Sequence, residues 1–189
     1  MKRFHESDRY DYDLTPESVV IDCGGYEGSF ARQLYDKYRC QIRVYEPVRP
    51  WAENLGETLG LRTGIQVFPF GLGGWTRMAK IRIKGDSTGL FADSGVETEV
   101  EIRSVSEEID RLQIPTVALL KLNCEGAEFE IMEHVLDVGL ALRLENIQVQ
   151  PHGVVPDAQR RWRAIQVQLA KTHRLTHYQR WAWEMWRKK

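Results

Sequence analysis

The sequence predicts an α/β fold on a largely parallel sheet, and three observations carry that prediction. Short strand-like segments recur at residues 19–21, 41–45, 65–70 and 117–124, the first of them a continuous apolar run as in a strand covered on both faces. Segments of helical period separate them: Phe30, Leu34 and Tyr38 share one face, as do Trp51 and Leu55, and Phe129, Met132 and Leu136. Glycines and polar or charged residues gather at the strand ends, along the edge where open α/β sheets bind ligands.

The first strand runs into Asp22-Cys23-Gly24-Gly25-Tyr26-Glu27-Gly28. Gly24, Gly25 and Gly28 permit a sharp turn and the close approach of a ligand. The helix that follows aims its amide-rich end at the same place. The second strand closes on Glu46, 18 positions after Gly28, with Pro47 next. Strand, glycine turn, helix and strand-terminal carboxylate make a nucleoside-binding half-fold, in which Glu46 accepts hydrogen bonds from both ribose hydroxyls. A dinucleotide site needs a glycine where Tyr26 stands, so that the pyrophosphate can come close. Asp22 at the strand end would repel a pyrophosphate and suits an ammonium or sulfonium group. These residues favour S-adenosylmethionine over NAD.

At 189 residues the chain is expected to form one domain over residues 1–189, burying about 70% of the unfolded chain's surface. No apolar run reaches the length of a membrane span, and Met1-Lys2-Arg3-Phe4-His5-Glu6 lacks a signal-peptide core. A cytoplasmic protein with no membrane partner is expected. Cys23, Cys40 and Cys124 are odd in number and widely spaced, which reads as buried reduced thiols. No Cys/His cluster has zinc spacing, and no metal is assigned. The near-neutral total hides an asymmetry. Residues 160–189 hold nine Lys/Arg and one acid, while the remainder holds 17 basic and 26 acidic residues. That basic end, with Trp162, Trp181, Trp183 and Trp186, reads either as an anion-binding surface or as a packed helix and hairpin with a charged rim.

The other elements follow in order. Tyr10, Tyr12 and Leu14 are possible anchors for the first segment. A helix is expected at residues 50–59, with proline in its first turn. The strand at residues 65–70 ends in Gly71-Leu72-Gly73-Gly74, a turn expected beside the base. Residues 77–105 change to period two. Ala79, Ile81 and Ile83 alternate with Lys80, Arg82 and Lys84, and Val96, Thr98, Val100 and Ile102 alternate with Glu97, Glu99 and Glu101. This is an inserted antiparallel ribbon with cross-strand ion pairs, its linker Asp86-Ser87-Thr88-Gly89-Leu90-Phe91 being either a loop tip or a lid. Ser106 is expected to cap a short helix bearing Glu107 and Glu108. The strand at 117–124 brings Lys121, Asn123, Glu125 and Glu128 to one sheet edge, and residues 143–152 read as a strand ending in His152. Asp157 is expected to cap a helix at 157–172. Residues 173–178 and 181–186 then close the sheet as a strand pair.

The whole pattern resembles the FkbM-type methyltransferase family over nearly its full length. The matching pieces are Val20-Ile21-Asp22-x-Gly24-Gly25-Tyr26-Glu27-Gly28, Val44-Tyr45-Glu46-Pro47, Gly71-Leu72-Gly73 and Ser87-Thr88-Gly89-Leu90. They continue through Leu119-Leu120-Lys121-Leu122-Asn123-Cys124-Glu125-Gly126-Ala127-Glu128, Gln148-Val149-Gln150-Pro151-His152 and Trp183-Glu184-Met185-Trp186. The resemblance implies a Rossmann-like methyltransferase sheet, seven-stranded and mostly parallel with an antiparallel last strand. It implies S-adenosylmethionine as cofactor and a hydroxyl acceptor on a small molecule or saccharide. Two positions depart from the family pattern: Asn123 stands where the family has Asp, and Pro151 where it has a bulky residue.

On this reading Asp22 organises the methionine end, with Gly24, Gly25, Glu27 and Gly28 shaping the turn. Glu46 and Pro47 hold the ribose side, and Gly71 and Leu72 flank the adenine. His152 is the first candidate for the base and Glu125 the second. Lys121, Asn123 and Glu128 position the acceptor or the base. Two other readings stay open: an RNA 2′-O-methyltransferase using the basic, tryptophan-rich end, and a non-catalytic S-adenosylmethionine-binding module, since asparagine cannot take up a proton as the family's aspartate can.

Overall fold

A computed structural model describes residues 6–83, 88–89 and 94–189. The expected roles of Lys84, Asp86, Ser87, Leu90 and Phe91 in the ribbon and its linker, and the reading of residues 1–5, lie outside these residues. Ten strands and five α-helices are described. The strands are β1 (Val19–Cys23), β2 (Gln41–Tyr45), β3 (Ile65–Phe68), β4 (Gly71–Gly73), β5 (Arg77–Ile83), β6 (Val96–Ser104), β7 (Leu119–Leu122), β8 (Asn146–Val149), β9 (His173–Tyr178) and β10 (Glu184–Lys188). The helices are α1 (Ser29–Tyr38), α2 (Arg49–Leu59), α3 (Val105–Arg111), α4 (Ala127–Asp137) and α5 (Ala158–Leu169).

Seven strands form one sheet in the order β3-β2-β1-β7-β8-β10-β9, and β4, β6 and β5 form a second. In the large sheet β10 runs against the direction shared by the other six strands. This is the Rossmann-like arrangement of methyltransferases. The chain reverses direction of travel across the sheet between β1 and β7, so the two strand ends there open a crevice.

Burial on both faces explains why the central strands are apolar but for Asp22 on β1 and Lys121 on β7. Val20 and Leu119 pack with Phe30, Leu34 and Leu55 under α1 and α2. Ile21 and Leu120 pack with Phe129, Met132 and Ile165 under α4 and α5. Each such side chain is fully buried and contributes about 1.5–3 kcal/mol. The first segment is anchored as expected: Leu14 is buried, and the Tyr12 hydroxyl hydrogen-bonds the Gln148 side chain at 2.6 Å.

The ribbon is antiparallel, with Lys80 opposite Glu99 and an ion pair from Lys80 to Glu97 at 2.8 Å. Its apolar face, Ile81, Val100 and Ile102, packs on Val48 at the start of α2.

Several local expectations change. The strand expected at 65–70 breaks after Phe68, and Gly71–Gly73 joins the second sheet instead. Residues 143–152 are not one strand: Leu140–Arg143 is a 3-10 helix, β8 covers only Asn146–Val149, and His152 sits in the following loop. Pro151 removes one backbone donor there, which suits a loop. Ser106 lies inside α3, whose N-cap is Ser104, and its hydroxyl meets His134 Nε2 at 2.7 Å. Asp157 precedes α5 in a left-handed conformation (φ 56°) without a side-chain cap; it pairs with Arg160 at 2.7 Å. The last strand starts at Glu184, which leaves Trp181 in a loop.

Candidate active site

A cleft opens at the C-terminal ends of β1, β2 and β7, enclosing about 860 Å³ counting its mouth, the size of a small-molecule site. Of the residues expected in the site, Gly24, Glu46, Pro47, Gly71, Leu72, Asn123 and Glu125 line it. Asp22, Gly25, Glu27, Gly28, Lys121, Glu128 and His152 do not.

Glu46 is the best-built feature. It is 3% exposed, yet its carboxylate faces the cleft. The Val48 N–H donates to Oε1 and the Tyr26 N–H to Oε2, both at 2.9 Å. Burial lifts this carboxyl above its ordinary range, and the two N–H groups pull it back. Each oxygen keeps a lone pair for an incoming hydroxyl, and the carboxylate is fixed before any ligand arrives.

The glycines work differently from the expectation. A Cβ on Gly24 (φ +82°) would lie 2.1 Å from the Asn123 carbonyl oxygen. One on Gly25 would strike Val44 and Leu55, and one on Gly28 (φ +72°) Leu55 and Leu59. These glycines let the turn pack against β2, α2 and the Asn123 backbone. The pressure for glycine comes from the protein side, not from the cleft.

Asp22 and Lys121 lie behind that turn, nearly inaccessible to solvent. Lys121 Nζ is 2.8 Å from Asp22 Oδ1 and donates to the Gly24 carbonyl at 2.9 Å. Its contact with the Cys23 carbonyl is 3.3 Å. A lysine there ties β7 to the end of β1. Among the described residues neither Asp22 oxygen has an aligned hydrogen-bond donor, and the same is true of Asn123 Oδ1, which does line the cleft.

His152 is clasped by two carboxylates. Nε2 lies 3.0 Å from Glu125 Oε1 and Nδ1 3.1 Å from Glu128 Oε1, while the His152 N–H donates to Glu128 Oε1 at 2.7 Å. Glu128 also accepts the Gly126 N–H at 2.9 Å, which fixes it at the start of α4. Burial lowers the ring's affinity for its proton, but the two carboxylates outweigh it and lift the pKa from 6.5 to about 10. With a carboxylate on each ring nitrogen, the surroundings favour the doubly protonated ring, which has no lone pair to offer.

Sequence reasoning placed Pro47, Gly71 and Leu72 at the site and read the linker with Thr88 and Gly89 as a possible lid, but it missed the other walls. Tyr26 and Trp51 meet edge to face with centroids 5.0 Å apart at one side, and Ile81, Ile102 and Thr88–Gly89 of the ribbon close another. The apolar face of the ribbon was legible as alternation, but its partner was not. Tyr26 (φ 45°) and Glu125 (φ 49°) are both left-handed, an arrangement that costs a non-glycine residue about 1–3 kcal/mol and gathers at functional sites.

The residues fit S-adenosylmethionine. Glu46 offers a diol acceptor, Leu72, Ile102 and Pro47 an apolar wall for the base, and Asn123 Oδ1 an unused acceptor for an ammonium group.

The family described as the methyltransferase FkbM domain matches residues 22–178. No curated protein matches the sequence. Among solved structures, a Clostridium thermocellum protein assigned as an rRNA methylase is similar at TM-score 0.60 and 8% identity, over 100% of this chain and 97% of that one. An rRNA methylase from Streptococcus thermophilus is similar at 0.52 and 11%, over 93% and 89%. The Methanococcus jannaschii fibrillarin pre-rRNA processing protein is similar at 0.53 and 9%, over 94% and 69%. At such identities the likeness is one of fold.

Proposed function

The chain belongs to the FkbM methyltransferase family, and from that premise we propose that it transfers a methyl group from S-adenosylmethionine to a hydroxyl of a small molecule or saccharide. The observation that supports this best is Glu46, a buried carboxylate held by two backbone N–H groups and turned into an open cleft.

S-adenosylmethionine, when bound, supplies an activated methyl group on a cationic sulfur. The protein's part is alignment and proton removal. Glu46 and the wall of Pro47, Leu72 and Ile102 fix the nucleoside, which confines the donor to one orientation; such alignment can lower a barrier by roughly 7–11 kcal/mol. Glu125 is the cleft-lining carboxylate other than Glu46 and is assigned the hydroxyl proton. His152, protonated on both nitrogens, holds Glu125 in place instead of acting as the base. Glu128, fixed by the Gly126 N–H, holds His152 from the other side. Lys121 keeps the glycine turn in position and acts on the cleft only through it.

Calorimetry with S-adenosylhomocysteine tests the donor site. The wild type is expected to bind, and Glu46→Ala to lose at least about 10–100-fold, the worth of one charged hydrogen bond. A wild type that takes up no heat removes the cofactor assignment.

A further inference from the structure

The edge that carries the cleft continues past β8 onto a second groove. It lies between α5 and the loop joining β9 to β10, encloses about 660 Å³ counting its mouth, and is lined by Arg163, Arg180, Tyr178 and Trp181 among others. A short chain of contacts links the two sites. Glu125 on the cleft wall contacts His152, Gly153 follows, and a Cβ there would lie 4.0 Å from Trp181 Cε3.

Three features mark this groove. The first is unspent charge. On the same edge Arg160 pairs with Asp157 and Arg161 with Glu133, both at 2.7 Å. Arg163 and Arg180 are exposed and have no ion-pair partner among the described residues. The second is the aromatic pair: Tyr178 and Trp181 are each 37% exposed although Trp162, Trp183 and Trp186 are buried. The third is backbone strain, since Trp181 is held at φ 52°, a conformation a bulky residue keeps only where its surroundings demand it. Glu184 forms part of the floor, but its carboxylate is occupied by Trp162 Nε1 and Gln166 Nε2 on one oxygen and Trp186 Nε1 on the other.

We propose that this groove is the subsite for a ring of the acceptor that bears an anionic group, a saccharide carboxylate or phosphate. Arg163 and Arg180 would take the anion through their guanidinium forks, and Trp181 and Tyr178 would supply flat apolar faces for the ring. The inference rests on the methyltransferase reading above and adds the acceptor's charge. A single anionic group fits better than a nucleic-acid strand. A strand needs a continuous basic track, whereas Arg174 and Arg187 of this basic end pair at the opposite end of the sheet, and Glu125 lies between groove and cleft.

The test uses the 189-residue chain, tryptophan fluorescence and ligand-observed NMR. The probes are digalacturonate, its neutral dimethyl ester, glucose 6-phosphate and glucose. Digalacturonate or glucose 6-phosphate is expected to bind at least tenfold more tightly than its neutral counterpart, and which of the two does so separates carboxylate from phosphate recognition. The double variant Arg163→Gln/Arg180→Gln is expected to abolish that preference, and Trp181→Ala to weaken binding roughly tenfold. Affinity for S-adenosylhomocysteine is expected to stay within twofold in both variants. Equal binding of charged and neutral probes, no binding of either charged probe, or a preference untouched by the double variant overturns the proposal. So does a single-stranded RNA decamer that binds more tightly than either charged sugar with a steep salt dependence. Failure of the wild type to bind S-adenosylhomocysteine is a separate readout, and it overturns the methyltransferase reading rather than the groove's preference for anions.

Discussion

At the scale of single residues, the cluster of Glu125, Glu128 and His152 sets the chemistry, because three titratable groups share one small volume. His152 has a proton affinity raised in the folded state, to about 10 from 6.5. The stability this contributes is fully present below pH 6.5, where folded and unfolded chains both carry the proton. It is lost progressively as pH rises from there through 10, because the unfolded chain releases its proton first. Glu125→Gln removes one of the two carboxylates that raise it. The variant is expected to show a shallower decline of thermal stability between pH 6.5 and 10, and a turnover lower by about 10²–10⁴-fold if Glu125 takes the hydroxyl proton. Unchanged turnover would remove Glu125 from that role, and an unchanged pH slope would show that Glu128 alone holds the proton. The sequence placed these three residues at one edge but ranked His152 first as base. Spacing along a chain says nothing about how many carboxylates surround a ring, and that number decides whether the ring has a free lone pair.

At the scale of elements, the turn between β1 and α1 shows how local rules and packing combine. The glycines were legible as a turn. What they accommodate was not, since the atoms a Cβ would strike come from β2, α2 and the segment after β7. Gly24→Ala combines a left-handed backbone with a 2.1 Å approach to a carbonyl oxygen. It is expected to lower unfolding free energy by at least about 2 kcal/mol in urea titrations. Gly56→Ala in α2 is the contrast: its Cβ would meet nothing within 4 Å, and helix propensity alone is expected to raise stability by about 0.5–1 kcal/mol. If both changes behaved alike, glycine in the turn would be a matter of chain entropy and not of contact.

At the scale of the whole molecule, Lys121 and Asp22 sit side by side in register on β7 and β1, the strands where the sheet changes direction. Two ions so deeply buried are costly unless each keeps the other. Lys121→Met is expected to cost about 3–5 kcal/mol by leaving Asp22 alone, and adding Asp22→Asn to it to recover much of that, measured by chemical unfolding. Equal losses in single and double variants would mean that the lysine stabilises through the Gly24 and Cys23 carbonyls instead. By itself, the sequence determined most of the strands and helices, their order, and Glu46 at the end of β2, because apolar period and strand-end chemistry are local. Only the tertiary structure decided which polar groups share open space: it put Glu125 on the cleft wall, turned Lys121 and Asp22 behind the glycine turn, made the ribbon a wall of the cleft, and left Trp181 outside its strand. The physical reason is that burial and ion pairing depend on residues far apart in the chain, whose approach is set by how the two faces of the sheet are covered.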